Sequence, residues 1–119
     1  METMIDKLEN IFEIQKALQK EMFNKELPND SVEDFKYSIL GMISEVGEVL
    51  DADRRWKNVR AKHISDEAKL EEICDVFAFF INMCLYSGYS ANDIYEAFLR
   101  KGKKNFERIG KVDKYDFDC

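Results

Sequence analysis

Residues 73–85 limit the possible folds of this chain more than any other segment. On a helix they are apolar on almost every side, and only Asp75 and Asn82 interrupt them. A helix on the surface of a domain carries one apolar stripe, whereas a helix that is apolar all round must be covered by neighbours. The segment therefore predicts a central, buried helix. Because one layer of neighbouring helices is too little to cover it, we expect homo-oligomerisation to complete the fold.

The rest of the sequence predicts an all-α, four-helix bundle-like fold. Apolar residues recur at helical spacing, no strand pattern is convincing, and five glycines and one proline are compatible with long helices. Serines able to cap helices precede three segments, and the first and last of them open capping boxes: Ser31, Ser65 and Ser90. The predicted helices cover residues 3–23, 31–56, 65–87 and 90–108.

The length and composition indicate one domain over residues 1–119, with a core at 31–108 and a loose tail at 109–119. A net charge of -6 disfavours binding to nucleic-acid backbones. The longest apolar run is too short to cross a membrane. The three cysteines have neither metal-site nor disulfide-framework spacing, so we expect reduced thiols and a cytoplasmic location.

The charge is distributed unevenly along the chain. Residues 100–111 carry six basic side chains and one acidic side chain, and residues 54–63 carry five basic and no acidic side chains. Two interpretations stay open. These stretches either bind phosphate beside a metal site, or they are solvated helix ends, where lysine is common.

Two short acidic motifs point to a metal site. Glu45 and Glu48 are spaced i, i+3, and so are Glu72 and Asp75, which places each pair on one face of its helix. If the two helices pack side by side and antiparallel, the four carboxylates converge and repel one another unless cations are bound. Mg²⁺ prefers such oxygen ligands. The apolar neighbours of Asp75 leave no exposed face for it, so we expect its side chain to be buried.

These motifs resemble those of the MazG-like all-α nucleoside triphosphate pyrophosphohydrolases, which include dimeric dUTPases and phosphoribosyl-ATP pyrophosphohydrolases. A Glu-x-x-Glu pair is followed by Glu-x-x-Asp at the start of an apolar helix, and 23 residues separate Glu48 from Glu72. The resemblance covers about residues 35–108. It implies a MazG-type bundle, a homodimer or homotetramer, and Mg²⁺ (with Mn²⁺ as a substitute) as cofactor. The sequence departs from the family pattern at Ser44, where the family often has a Glu, although the dimeric dUTPases commonly lack that Glu too.

The resemblance also implies roles for individual residues. The metal ligands would be Glu45, Glu48, Glu72 and Asp75, and either Glu45 or Glu48 would accept a proton from the attacking water. A lysine-asparagine-arginine cluster near the end of the bundle would bind the substrate phosphates: Lys101, Lys104, Asn105 and Arg108.

Three further residues are candidates for substrate binding, namely Trp56, Lys57 and Asn82, and both Trp56 and Asn82 have a structural alternative. Trp56, followed by Lys57 in a basic stretch, either stacks on the base or plugs the end of the second helix. Asn82 either hydrogen-bonds the base or sugar, or is a buried amide satisfied by a neighbouring helix. His63 is the only histidine, and we expect it to be an exposed loop residue.

The implied reaction is hydrolysis of a nucleoside triphosphate, a dNTP or a non-standard nucleotide, to monophosphate and pyrophosphate. One alternative is a dUTP-specific dUTPase of the dimeric all-α type. The other is a helical metal-binding or interaction module without enzymatic activity.

Overall fold

The all-α fold predicted from the sequence is confirmed in the computed structural model, which describes residues 4–57 and 63–117. The elements, in chain order, are α1 (Lys7–Phe23), α2 (Val32–Ala52), α3 (Asp66–Tyr86), α4 (Ala91–Arg108) and a short 3₁₀ helix (Val112–Lys114). The predicted loop at residues 58–64 lies mostly outside the described residues, as does residue 3. The first helix begins at Lys7, later than predicted, because Asp6 caps it there by accepting from the backbone N–H of Glu9.

Side-chain caps explain where the helices begin. The hydroxyl oxygen of Ser65 accepts a hydrogen bond from the backbone N–H of Ala68 at 3.2 Å, and Ser31 caps α2 in the same way. Ser90 forms the complete capping box predicted for it, since its own backbone N–H also donates to the Asp93 carboxylate at 2.9 Å. Each such cap satisfies amide donors that have no partner inside the helix.

The second helix ends earlier than the sequence predicts, at Ala52 rather than near Trp56. Asp53 adopts an extended conformation, and its carboxylate accepts two hydrogen bonds from the Arg55 side chain and pairs with Lys69 of α3 at 3.1 Å. These side-chain bonds hold the chain in a turn that cannot continue the helix.

Helices α2 and α3 form a closely packed antiparallel pair. At Gly41 a Cβ atom would lie 2.2 Å from the Phe79 ring, so the absence of a side chain lets the two helices approach. The buried core surrounds the C-terminal half of α3, where Phe12 of α1 meets Ile81 and Leu85 of α3 and Ala91 at the start of α4. Helix α4 leaves α3 at an angle of 103° and packs mainly on α1 and the 3₁₀ helix.

Only the C-terminal half of α3 is buried in the single chain. In its N-terminal half Leu70, Ile73 and Phe77 are partly exposed, and Asp75 is exposed, so the prediction that Asp75 is buried was wrong for the single chain. The physical reason is that this half has α2 as its main neighbour, while α1 crosses nearer the C-terminal end.

The segment expected to be a loose tail folds back on α4 over its described part. The ring of Phe106 lies 4.5 Å from that of Tyr115 and 5.2 Å from that of Phe117, measured between centroids. The Phe117 ring also lies close to Gly102. This small aromatic cluster anchors the residues that follow α4.

Within the described part of the chain, no single helix combines the length and the apolar character needed to span a membrane. Helices α3 and α4 pass that test only when they are counted together as one bent segment.

Candidate functional site

The antiparallel pairing of α2 and α3 brings three carboxylates together. One oxygen each from Glu45, Glu72 and Asp75 lies within 4.8 Å of the other two. Glu45 and Glu72 are half-buried at the helix–helix interface, and Asp75 opens to solvent. The i, i+3 spacing of Glu72 and Asp75 puts both on the α3 face that meets α2.

Glu48, the fourth predicted acid, contributes no oxygen to this group of three, but its carboxyl group lies beside that of Glu45. A hydrogen bond with Glu48 raises the pKa of Glu45 above its ordinary value. Burial, together with the negative charges of Glu48, Asp75 and Glu72, raises that pKa further. The site therefore concentrates more negative charge than its own residues neutralise.

The carboxylates suit a hard divalent cation. One oxygen of Glu45 and one of Glu72 are buried and make no hydrogen bond within the described part of the chain, and a buried polar atom without a partner is costly. Oxygens on opposite sides of a Mg²⁺ ion, each about 2.1 Å from it, lie about 4.2 Å apart. The three observed oxygens lie within 4.8 Å of one another and can draw together around one ion, so the residues present fit Mg²⁺.

A groove of about 550 Å³ begins at these carboxylates and runs between α1 and the α2–α3 pair. Glu45 and Asp75 line one end of it, and Lys25, Asp34 and Tyr86 line the other end. Its walls combine apolar and aromatic side chains with polar groups, as is usual for a small-molecule site. The acidic cluster thus opens into a cavity that is large enough to hold a ligand.

Two amide side chains of α1 make hydrogen bonds to α3 in this groove, and sequence reasoning missed both. Gln15 donates from Nε2 to the Asn82 carbonyl at 2.8 Å, and Gln19 accepts from the Tyr86 hydroxyl at 2.7 Å. The position of these two residues in the sequence could have indicated their role. Gln15 and Gln19 follow the buried Phe12 at i+3 and i+7, so two polar residues stand on the apolar stripe of α1.

Asn82 combines the two alternatives that the sequence left open. Its side chain is buried, and its carbonyl oxygen is satisfied by a neighbouring helix, yet it also lines the groove. Because the carbonyl accepts from Gln15, the Nδ2 hydrogens are the groups that Asn82 can offer to a ligand.

The structure does not bring Trp56 to this groove, and Trp56 is not a buried plug either. Its ring is 59% exposed beyond the end of α2. The indole N–H donates to the carbonyl oxygen of Leu50 at 3.1 Å, and the Lys57 ammonium lies 5.1 Å from the ring centroid. His63, as expected, is exposed.

The predicted phosphate-binding residues lie on α4, away from the acidic cluster of their own chain. All four are exposed: Lys101, Lys104, Asn105 and Arg108. Since α4 packs mainly on α1 and the 3₁₀ helix, the single chain does not place them beside Glu45, Glu72 and Asp75.

A comparison with known protein families identifies the family of this chain. A family model described as dUTPase matches residues 7–89. The chain belongs to the dUTPase family. The match begins earlier than the resemblance read from the sequence, since it includes α1 and its two amides, and it ends before the basic residues of α4. Searches of curated proteins and of solved structures found no match.

Membership of this family supports nucleoside triphosphate hydrolysis at the level of the enzyme class. The matched segment contains α1, α2 and α3, and therefore both the acidic cluster and the groove.

Proposed function

We propose that this protein hydrolyses dUTP to dUMP and pyrophosphate with Mg²⁺ as cofactor. The observation that carries the proposal is a three-carboxylate cluster opening into a groove lined by amide side chains, in a chain of the dUTPase family. The wider resemblance to MazG-like enzymes is compatible with the same chemistry on other nucleotides.

The acidic residues divide into two roles. Glu45, Glu72 and Asp75 would hold the metal, which when bound supplies positive charge to neutralise the phosphates and activates water. Mn²⁺ would substitute, because carboxylates also suit that ion. Glu48 lies outside the group of three but beside Glu45, so it is well placed to accept a proton from the attacking water.

The groove gives the nucleoside a place beside the metal site. Asn82 follows Asp75 by seven residues on α3, about 10 Å along the helix axis, which leaves room for a sugar between them. The Nδ2 group of Asn82 can donate, and the Oε1 atom of Gln15 can accept. Uracil presents carbonyl acceptors beside an N–H donor, so the two amides complement its edge.

The chain is expected to act as a homodimer or a homotetramer. Large apolar side chains are exposed on α2 and α3, among them Leu40, Ile43 and Leu70, each more than 60% exposed. Apolar surface of this kind is usually covered by a partner. Sedimentation equilibrium tests this directly, since a second copy covering these residues predicts a mass of at least two chains.

A nucleotide screen with Mg²⁺ tests the function. dUTP, dTTP, dCTP and UTP are each incubated with the protein, and products are identified by chromatography. We expect dUMP and pyrophosphate from dUTP and much slower turnover of the others. Comparable turnover of several triphosphates would support the broader MazG-like substrate range, and no turnover of any nucleotide would support a binding module without enzymatic activity.

A further inference from the structure

A second charged cluster joins α2 to α3 near the acidic cluster. The carboxylate of Asp53, which directly follows α2, accepts hydrogen bonds from Nε of Arg55 at 2.9 Å and from Nη2 of Arg55 at 2.7 Å. The same carboxylate pairs with the Nζ atom of Lys69 on α3 at 3.1 Å. Asp53 therefore holds two basic side chains together where α2 ends and α3 begins.

The two basic side chains keep donors that Asp53 does not use. The Asp53 side chain is only 10% exposed, whereas those of Arg55 and Lys69 are 54% and 37% exposed. A guanidinium donates from all of its nitrogens, and an ammonium donates in several directions. In the part of the chain that the structure describes, the side-chain bonds to Asp53 engage Nε and Nη2 of Arg55 and leave Nη1 able to donate to an anion.

This cluster lies one helical turn from the predicted metal ligands, on the side away from the groove. Lys69 precedes Glu72 by three residues, so the two side chains lie on neighbouring turns of α3, about 4.5 Å apart along the axis. The groove runs the other way, because its lining continues along α3 from Asp75 to Asn82. A nucleotide whose base occupies the groove therefore directs the end of its triphosphate towards the basic side chains.

We propose that Lys69 and Arg55 bind the terminal phosphates of the substrate and stabilise the departing pyrophosphate. The proposal rests on the proposed function, and it gives Arg55, in the basic stretch 54–63, a contact with phosphate. Because Asp53 already holds both side chains in place, little side-chain freedom remains to be lost when a phosphate binds.

The position of the two basic side chains suits the charge that develops in the reaction. Water adds to the α-phosphorus and gives up a proton, and the bond from that phosphorus to the bridging oxygen breaks. The electron pair of this bond leaves with pyrophosphate, so negative charge grows on the group that Lys69 and Arg55 contact. Donors fixed beside developing charge stabilise the transition state more than the ground state.

Binding of a nucleoside monophosphate and of a triphosphate analogue tests the proposal. Lys69→Gln and Arg55→Gln are titrated by calorimetry with dUMP and with α,β-imido-dUTP in the presence of Mg²⁺. Each variant should bind α,β-imido-dUTP at least about tenfold more weakly, because a charge-assisted hydrogen bond to phosphate is lost. Each should bind dUMP like the wild type, since dUMP lacks the terminal phosphates.

Two further variants serve as controls. Arg54→Gln removes the same charge one position earlier, but Arg54 pairs with Asp51 rather than Asp53, so the affinity for α,β-imido-dUTP should stay at the wild-type value. Lys69→Arg keeps the positive charge and should bind the analogue more tightly than Lys69→Gln does. Circular dichroism and an unchanged affinity for dUMP verify that each variant is folded.

The outcomes separate this proposal from the proposed function. No turnover of dUTP by the wild type would overturn the function itself. With an active wild type, an unchanged affinity for α,β-imido-dUTP in either glutamine variant would overturn only the phosphate contact of that residue. An equal loss of affinity for dUMP would overturn both contacts, because the two residues would then act through the fold. The same loss in Arg54→Gln would also overturn them, since it would show general charge attraction instead of contact.

Discussion

At the scale of single residues, the site depends on two carboxylate oxygens that have no hydrogen-bond partner among the residues that the structure describes. The buried oxygens of Glu45 and Glu72, together with the exposed carboxylate of Asp75, create a concentration of negative charge that is unfavourable without a cation. The same residues in contact with Mg²⁺ would be satisfied. The metal should therefore stabilise the fold as well as support the reaction.

Removing one of these ligands should abolish the effect of the metal on stability. In the wild type, Mg²⁺ is expected to raise the thermal unfolding temperature, because it binds the folded chain in preference to the unfolded chain. Asp75→Asn should fold but show no such rise in a thermal-shift titration. Glu71→Gln, an exposed neighbour on the same helix, is the control and should respond like the wild type. An unchanged response in Asp75→Asn would remove that residue from the ligand set.

The pair of Gln15 and Asn82 should matter for both stability and substrate binding. Asn82→Ala leaves the Gln15 amide without its partner at 2.8 Å, which should lower the free energy of unfolding by about 1–3 kcal/mol. If Asn82 also contacts the base, KM for dUTP should rise at least tenfold while Mg²⁺ still stabilises the protein. Asn92→Ala changes an exposed amide on α4 and should leave KM unchanged. An unchanged KM in Asn82→Ala would reduce Asn82 to a structural residue.

At the scale of elements, the close approach of α2 and α3 sets the geometry of the acidic cluster. Gly41 packs against the Phe79 ring one turn before Glu45, whereas Gly47, between Glu45 and Glu48, has no neighbour within 4 Å of an added Cβ in the described part of the chain. The two glycines lie in the same helix and differ only in their surroundings.

Replacement of these two glycines by alanine should change the free energy of unfolding in opposite directions. Gly41→Ala forces Phe79 aside, and overpacking of this kind costs about 1–3 kcal/mol. Gly47→Ala meets no obstacle and should gain about 1 kcal/mol of helix propensity. Chemical denaturation should therefore rank Gly47→Ala above the wild type and Gly41→Ala below it. Equal stability of the two variants would show that the helices do not meet at Gly41.

The connection from α2 to α3 should be sensitive to acid. Hydrogen bonds from Arg55 and Lys69 hold the pKa of Asp53 far below its usual range. Its stabilising contribution is therefore complete above the unfolded-state pKa of about 3.9 and is lost as the pH falls below that value. Asp53→Asn should lower stability in urea unfolding at pH 7, and its difference from the wild type should shrink at pH 3. Asp51→Asn, which breaks an exposed pair with Arg54, should change stability little at either pH.

The helices themselves follow from local signals in the sequence. Ser65, Ser90 and the spacing of apolar residues predicted where α3 and α4 begin, because capping and periodicity are properties of neighbouring residues. The end of α2 was mispredicted, because the Asp53 pairing involves Lys69, a residue of the next helix. The role of α1 in the groove was also missed, since nothing local shows that Gln15 meets Asn82.

At the scale of the whole molecule, the single chain leaves much of its apolar and charged surface without a partner. The exposure of Asp75 contradicts the buried position expected from its apolar neighbours, and a second copy over α3 would reconcile the two. We therefore propose that a second copy of the chain covers the exposed part of α3.

We propose that the carboxylates of α2 and α3 form a magnesium site for dUTP hydrolysis. The most direct measurement is product analysis after incubation of dUTP with the wild type and with Glu72→Gln, in the presence of Mg²⁺. We expect dUMP and pyrophosphate in equal amounts from the wild type and no turnover by the folded variant. Formation of dUDP and orthophosphate, or unchanged turnover by Glu72→Gln, would contradict the claim.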